Sequence, residues 1–109
     1  MIINSMSSIN DIVDKVRQAT DYQTNKRILR EKITSDLHIP YRGGLFMTSM
    51  ELIAFLNSWQ DDEIFIEDIY GNPVKVNRTE LLDLAKAHYQ TVMNEWNVEH
   101  DKLKRIRKV

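Results

Sequence analysis

The chain contains no cysteine and has only three glycines and two prolines. The missing thiols exclude disulfide bonds, cysteine-ligated zinc sites and thiol catalysis, and they are typical of a reducing compartment. No proline-rich or low-complexity linker interrupts the chain, and both prolines stand in short segments of extended pattern. The sequence therefore predicts a single domain over residues 1–109.

Strong net charge and long apolar runs are also missing. The formal net charge is −1, which does not favour nucleic acid or an anionic membrane as a partner of the whole molecule. No apolar run approaches the ~20 residues that span a bilayer. The first residues lack the basic region and apolar core of a signal peptide. We therefore expect a soluble protein that is not secreted through a signal peptide.

Helical periodicity begins near the N-terminus. Ser8 and Asp11 form the pattern of a capping box. Apolar residues then recur at helical spacing: Ile9, Ile12, Val13 and Val16. The pattern next turns polar and resumes at Ile28. The sequence predicts a helix over residues 8–34 and leaves open whether it breaks near residues 20–24.

The stretch YRGGLFM places two adjacent glycines beside an arginine, as a phosphate-binding loop does. A P-loop requires spaced glycines and then Lys-Ser or Lys-Thr at a helix start, and this stretch has neither. Apolar and polar residues instead alternate over residues 37–41, and an apolar run follows the glycines. We predict a hairpin with Gly43 and Gly44 at the centre of a type I′ turn, because glycine adopts positive φ without steric cost.

Two further elements precede the last helix. Thr48 and Glu51 form a second capping-box pattern, and the amphipathic face that follows predicts a short helix. Alternation over residues 64–76, around a turn that contains Gly71, predicts a second hairpin. Residues 37–77 are thus predicted to form a core of two hairpins.

The last predicted element is a long helix over residues 78–107, which a third capping-box pattern opens at Asn77 and Glu80. Its apolar stripe is long: Leu81, Ala85, His88, Val92, Trp96 and Leu103. Thirty helical residues reach ~45 Å, more than the width of a small domain. The far end is therefore expected to leave the core and to pack on the first helix, on a second copy or on a partner.

These elements predict an α+β fold: helix, β-hairpin, short helix, β-hairpin and long C-terminal helix. The two hairpins are expected to join in one small antiparallel sheet, with the helices covering one of its faces.

No residue pattern indicates catalytic or metal chemistry. His88 falls on the apolar stripe, where a lone histidine is typically a core residue, and no other histidine stands at metal-ligand spacing. The acidic residues 61–63 lack the alternating ligands and the glycine of a calcium loop and are typical of a solvated loop. We predict no catalytic residue, no cofactor and no metal, and hence a protein that is not an enzyme.

The C-terminal end of the last helix is rich in cations: Lys102, Lys104, Arg105, Arg107 and Lys108. Cations at this position offset the negative end of the helix dipole. Contact with nucleic acid or with an acidic protein surface is the functional alternative. Because apolar residues stand among the cations, we predict that Trp96, Leu103 and Ile106 face a partner, with Lys102 and Arg105 at the rim.

The order of the elements and several short motifs resemble a family of phage tail-associated domains of unknown function. The matching positions lie in both hairpins and in the last helix: Gly44, Phe46, Gly71, Val74, Val76, Glu80, Leu81, Ala87 and His88. The similarity covers about residues 25–106. The chain departs from the family at Asn72 and Pro73, which replace its usual acidic-glycine turn, and in the bulky short helix.

The resemblance implies a virus-encoded protein of tail structure or tail-fibre assembly, located in the virion or the host cytoplasm. Its expected partner is a phage tail or tail-fibre protein, in a homo-oligomer or a hetero-complex. The first alternative is a small nucleic-acid-binding regulator that uses the basic helix end. The second is an enzyme that acts through the acidic residues or His88, which requires a pocket that brings those groups together.

Overall fold

A computed structural model describes the backbone of residues 2–107 and the side chains of residues 9–106. The elements are, in order, α1 (Ile2–Asp36), β1 (His38–Tyr41), β2 (Gly44–Met47), α2 (Met50–Ser58), β3 (Glu63–Glu67), β4 (Pro73–Asn77) and α3 (Arg78–Arg107). The predicted α+β order of helices and antiparallel hairpins is confirmed. The predictions that rest on the side chains of Ser8, Arg107 and Lys108 fall outside the described residues.

Helix α1 is a single continuous helix of 35 residues. It begins at Ile2, so the helix start predicted at Ser8 is wrong, and it continues without a break through residues 20–24. Neither glycine nor proline occurs between residues 2 and 36, and the polar segment therefore has no residue that forces the helix to stop.

The two adjacent glycines serve different purposes. The turn residues of the first hairpin are Arg42 and Gly43, with φ of 46° and 82°, as in a type I′ turn. Gly44 instead pairs with Tyr41 as the first residue of β2. The predicted turn type is right, but its position is shifted by one residue. A Cβ atom on Gly44 would lie 2.7 Å from Cγ2 of Val74, so this glycine allows the two hairpins to touch.

The hairpins form two separate two-stranded sheets, so the expected single sheet is wrong. They meet at one end, where the Ile69 N–H donates to the Leu45 carbonyl at 2.9 Å. Ile69 lies in the loop between β3 and β4, so this hydrogen bond does not continue into a ladder between strands of the two hairpins. Within the second hairpin, Ile64 pairs with Val76 and Gly71 has a positive φ of 80°, so the predicted strands and turn are confirmed.

Of the two predicted helix caps that lie within the described side chains, one is altered by a tertiary contact. Ser49, rather than Thr48, caps α2 by accepting a hydrogen bond from the Leu52 N–H at 3.1 Å. Thr48 is fully buried, and its hydroxyl donates to the Leu37 carbonyl at 2.7 Å. The predicted cap of α3 is confirmed, since Oδ1 of Asn77 accepts from the backbone N–H of helix residue 80 at 3.0 Å.

Two apolar clusters hold the molecule together. The larger cluster joins both hairpins to α2 and to the first turns of α3: Tyr41, Phe46, Leu56, Val76, Leu81 and Leu82. The smaller cluster contains Ile33, Leu37 and Val92 and fastens the end of α1 to α3. We call residues 37–88 the head, and the paired helices beyond it the arm.

The arm makes the molecule long. Its helices are antiparallel, since Lys32 of α1 pairs with Glu95 of α3 while His88, the last residue of the head, contacts the carbonyl of Asp36. The molecule measures 76 × 24 × 20 Å, and its radius of gyration is 21.6 Å. A compact chain of this length has a radius of gyration of about 13 Å. In the described part of the chain, neither arm helix nor α2 is long and apolar enough to cross a membrane.

Candidate interaction surfaces

The five residues predicted to face a partner lie on different sides of the arm. Leu103 and Ile106 lie toward α1 and line one groove with it, and Trp96 lines a second groove closer to the head. Lys102 and Arg105 instead lie together beside Val98 and Asp101. The structure therefore does not place the two rim cations around the three apolar residues.

The groove nearer the head has an aromatic wall and a cationic edge. Trp96 stands against His100, with 5.4 Å between the ring centroids, and retains 38% of its exposure. The groove has a volume of about 490 Å³ and combines apolar, aromatic and basic residues: Lys26, Arg30, Ile33, Thr34, Leu37, Met93, Trp96 and His100. Such a groove accepts an apolar side chain that has a carboxylate next to it.

The groove farther from the head lies between the end of α3 and the middle of α1. It has a volume of about 410 Å³ and is lined by Leu103 and Ile106 from α3 and by residues of α1: Lys15, Gln18, Ala19, Asp21, Tyr22 and Asn25. Ile106 is 65% exposed, whereas Leu103 is half-buried. Leu103 therefore serves mainly to hold the arm together, and Ile106 offers apolar surface at its end.

One exposed apolar surface of the arm, near the start of α1, was not predicted as a contact site. Ile9, Ile12, Val13 and Val16 have exposed fractions of 58%, 60%, 46% and 59%. Their spacing marks one face of a helix, and the sequence was interpreted only in that sense. The sequence did contain a sign of an exposed surface, because the helix face that is apolar at these positions becomes polar from residue 20 onward. We call these four residues the α1 stripe.

The head also exposes aromatic residues. Phe55 and Trp59 of the α2 region stack with 5.5 Å between their ring centroids. Phe65 and Tyr70, on the outer face and loop of the second hairpin, are 69% and 71% exposed. These side chains are separate from the arm and provide controls for experiments on it.

Charge is divided between head and arm. The head, residues 37–88, contains eight acidic and four basic residues, and the rest of the chain contains eight acidic and eleven basic residues. The small net charge of the molecule therefore conceals an acidic head and a basic arm, and each attracts a surface of the opposite sign.

The ion pairs found among the described side chains of the arm are exposed. Lys102 pairs with Glu99 at 3.0 Å within α3, and Lys32 pairs with Glu95 at 3.1 Å across the two helices. The hydrogen bond from Lys32 to Glu95, together with their opposite charges, raises the pKa of the lysine. Because solvent screens such exposed pairs, both contribute little to stability, and Lys32–Glu95 mainly marks the register of the two arm helices.

The acidic run of the second hairpin contains one residue with a distinct role. Asp68 is buried, and its Oδ1 accepts hydrogen bonds from the backbone N–H groups of Tyr70 and Asn72, each at 3.0 Å. Its Oδ2 accepts from the Leu45 N–H at 3.2 Å. These hydrogen bonds, chiefly the one from Asn72, lower the pKa of Asp68 although burial opposes them. Asp68 therefore joins the two hairpins, a role that the sequence pattern did not indicate.

His88 has a similar structural task. Its Nε2 contacts the carbonyl of Asp36, which is one of the unpaired carbonyls at the end of α1. The acidic residues 61–63 lie in the head before β3 and at its start. Among the described residues, no group of three or more histidine, aspartate or glutamate side chains is arranged to hold a metal ion.

Comparison with known proteins adds no relative. No family model matches the chain, no curated protein matches it, and no solved structure matches it. The surfaces must therefore be interpreted from their own chemistry, and the resemblance to phage tail domains stays a prediction from sequence.

Proposed function

We propose that the protein is a non-enzymatic assembly module that binds protein partners through its helical arm, in a homo-oligomer or a hetero-complex. The α1 stripe is the observation that carries this proposal, because a soluble chain that leaves four large aliphatic residues side by side in water has a surface suited to a partner. The grooves beside Trp96 and Ile106 provide further apolar surface on the same arm.

The setting that we propose is phage tail structure or tail-fibre assembly, and it rests on the sequence resemblance. The elongated shape of the molecule supports a module of this kind, since two long helices project from a small packed head and much of their outer surface is exposed. The expected partner is a tail or tail-fibre protein of the same phage.

The proposal is tested by mixing the chain with the tail and tail-fibre proteins of its phage and measuring complex mass by size-exclusion chromatography with light scattering. Replacing Trp96 and Ile106 by alanine is expected to weaken the complex at least about tenfold, because exposed aromatic and aliphatic anchors dominate such interfaces. The matched control replaces Phe65 and Tyr70 of the head by alanine and is expected to leave the complex intact.

The alternative function, nucleic-acid binding through the basic helix end, gives a different result. Lys104 and Arg105 are exposed near the end of α3. Binding to DNA or RNA that weakens steeply with salt and is lost on changing both residues to glutamine would support that alternative. If it occurred without any tail-protein complex, the assembly proposal would be overturned.

A further inference from the structure

The α1 stripe lies beyond the part of α1 that α3 covers. Since Lys32 pairs with Glu95 and the helices are antiparallel with equal rise, Arg107 at the end of α3 lies alongside roughly residues 18–20 of α1. The stripe occupies residues 9–16, and each of its side chains is about half exposed or more. Among the described residues, α3 therefore cannot cover it.

The stripe adjoins the interface that already joins the two arm helices. Ile12 stands one heptad before Ala19, which lines the groove with Leu103 and Ile106, and three heptads before Ile33, which is buried against α3. A straight helix drifts by about 20° per heptad, so Ile12 lies about 20° around the helix from Ala19 and about 60° from Ile33. The other three stripe residues widen the apolar face that Ile12 begins. Ile106, at the end of α3, lies close to this face and is 65% exposed.

The stripe is complementary to itself. When two copies of α1 lie antiparallel, a two-fold axis between residues 12 and 13 places Ile9 opposite Val16 of the second copy and Ile12 opposite Val13 of the second copy. Each pair joins an isoleucine to a valine, so the side chains between the two helices have the same combined size at every pair.

The acidic residues of this segment do not oppose the contact. Asp11 and Asp14 lie on the side of the helix away from the stripe, because they are about 150° from its centre at 100° per residue. A partner with a strongly charged face would find no matching row of charges beside the stripe. An apolar helix of the same kind is the better fit, and the chain itself supplies one.

We infer that a second copy of the chain covers the α1 stripe, through an antiparallel pairing of the two N-terminal helix segments that joins two molecules end to end by their arms. This deepens the proposed assembly function, on which it rests, by naming one of the partners. Four stripe residues from each copy are far fewer than the roughly 20–30 residues per side of a standard stable interface, so we expect the dimer to form reversibly and to depend on concentration.

The first experiment is sedimentation equilibrium of the full chain over a series of concentrations. We expect the mass to rise from one chain to two. Ile12→Lys is expected to weaken the dimer at least about tenfold, because a lysine ammonium at the two-fold axis loses its hydration opposite an apolar residue. Asn10→Lys adds the same charge to the same part of the helix outside the stripe and is expected to retain the dimer. Circular dichroism checks that both variants keep their helix content.

A cross-linking experiment tests the register without relying on a disruptive variant. Because the chain has no native cysteine, Ile9→Cys and Val16→Cys each introduce a single thiol. The proposed register predicts a disulfide-linked dimer when the two variants are mixed. It predicts little with either variant alone, since like positions are ~10 Å apart along the axis.

A chain that stays monomeric at all concentrations, or thiols that cross-link equally well in every combination, would overturn the inference. The first of these outcomes leaves the proposed function standing, because a tail-protein complex is measured separately. A dimer without any tail-protein partner supports self-association and removes the phage-tail setting instead.

Discussion

The hydroxyl of Tyr41 donates a hydrogen bond to Oε1 of Glu80 at 2.8 Å and accepts one from the Asn77 N–H at 3.3 Å. A capping box would normally join the glutamate carboxylate directly to that N–H. Here a tyrosine from the first hairpin stands between them. The start of α3 is thereby fixed to β1, and the direction of the arm is set by the head.

Tyr41→Phe is expected to destabilise the protein by about 1–3 kcal/mol, because the partly buried Asn77 N–H loses its acceptor and the Glu80 carboxylate loses its donor. Tyr70→Phe is the control, since that side chain is 71% exposed, and it is expected to change the free energy of unfolding very little. Urea unfolding followed by circular dichroism measures both. Equal effects for the two variants would show that the bridging hydroxyl adds nothing to stability.

The same hydroxyl predicts a loss of stability in alkali. Burial, and then the hydrogen bond to Glu80, raise the pKa of Tyr41 above its ordinary value of 10.0. A folded-state pKa above the unfolded one means that the stabilisation is complete below about pH 10 and is lost as the pH rises through the folded value. The stability difference between wild type and Tyr41→Phe should therefore shrink above about pH 10. A constant difference throughout this range would contradict the prediction.

Gly44→Ala is expected to cost about 1–3 kcal/mol, because its Cβ would overlap Cγ2 of Val74 and force the hairpins apart. Val74→Ala removes that atom, so the double variant should lose less free energy of unfolding than the two single variants lose together. Gly43→Ala meets no atom within 4 Å but strains a backbone with φ of +82°, and Val74→Ala should not rescue it. A double-mutant cycle in urea measures the coupling, and equal coupling at both glycines would refute this account.

These glycines also show where prediction from sequence reaches its limit. Alternation and helical periodicity predicted the order of the elements, because burial of one face imposes those periods on strands and helices alike. Two adjacent glycines, however, satisfy a type I′ turn in either of two registers. The choice depends on the contact between Gly44 and Val74, which joins residues far apart in the chain.

The exposed apolar side chains of the arm were predictable only in part. Trp96, Leu103 and Ile106 were predicted to face a partner because they lie toward the end of a helix too long for the head, and that role stays a prediction. Recognition of the α1 stripe required knowing where α3 stops alongside α1, which depends on how the two helices align. The role of Asp68 likewise depends on a hydrogen bond between the hairpins, and its sequence neighbourhood resembles any acidic turn.

Asp68→Asn is expected to lower the melting temperature by several degrees at neutral pH. An amide provides one oxygen where the carboxylate provides two, so its NH₂ group would face either the Leu45 N–H or the turn N–H groups without an acceptor. Asp62→Asn, on an exposed side chain, is the control and should leave the melting temperature unchanged. If both variants have the melting temperature of the wild type, Asp68 does not hold the hairpins together.

Acid provides a second measurement at Asp68. Because the folded-state pKa is lowered, the stabilisation is complete above the unfolded value of about 4 and is lost as the pH falls through the folded value. The difference in melting temperature between wild type and Asp68→Asn should therefore narrow below about pH 4. A difference that widens in acid would assign the stabilisation to another group.

The arm predicts a gradient of hydrogen exchange along α1. Amides of residues 28–36 lie where Ile33 and Leu37 pack on α3, and they should be among the most protected of the chain. Amides of residues 9–16 belong to a helix segment that α3 does not cover, and a short unsupported helix opens readily. Their protection should rise with protein concentration in the wild type but stay low in Ile12→Lys, because only the wild type gains a second helix there. Protection that is uniform along α1 at every concentration would mean that the N-terminal segment is stable by itself and has no need of a partner helix.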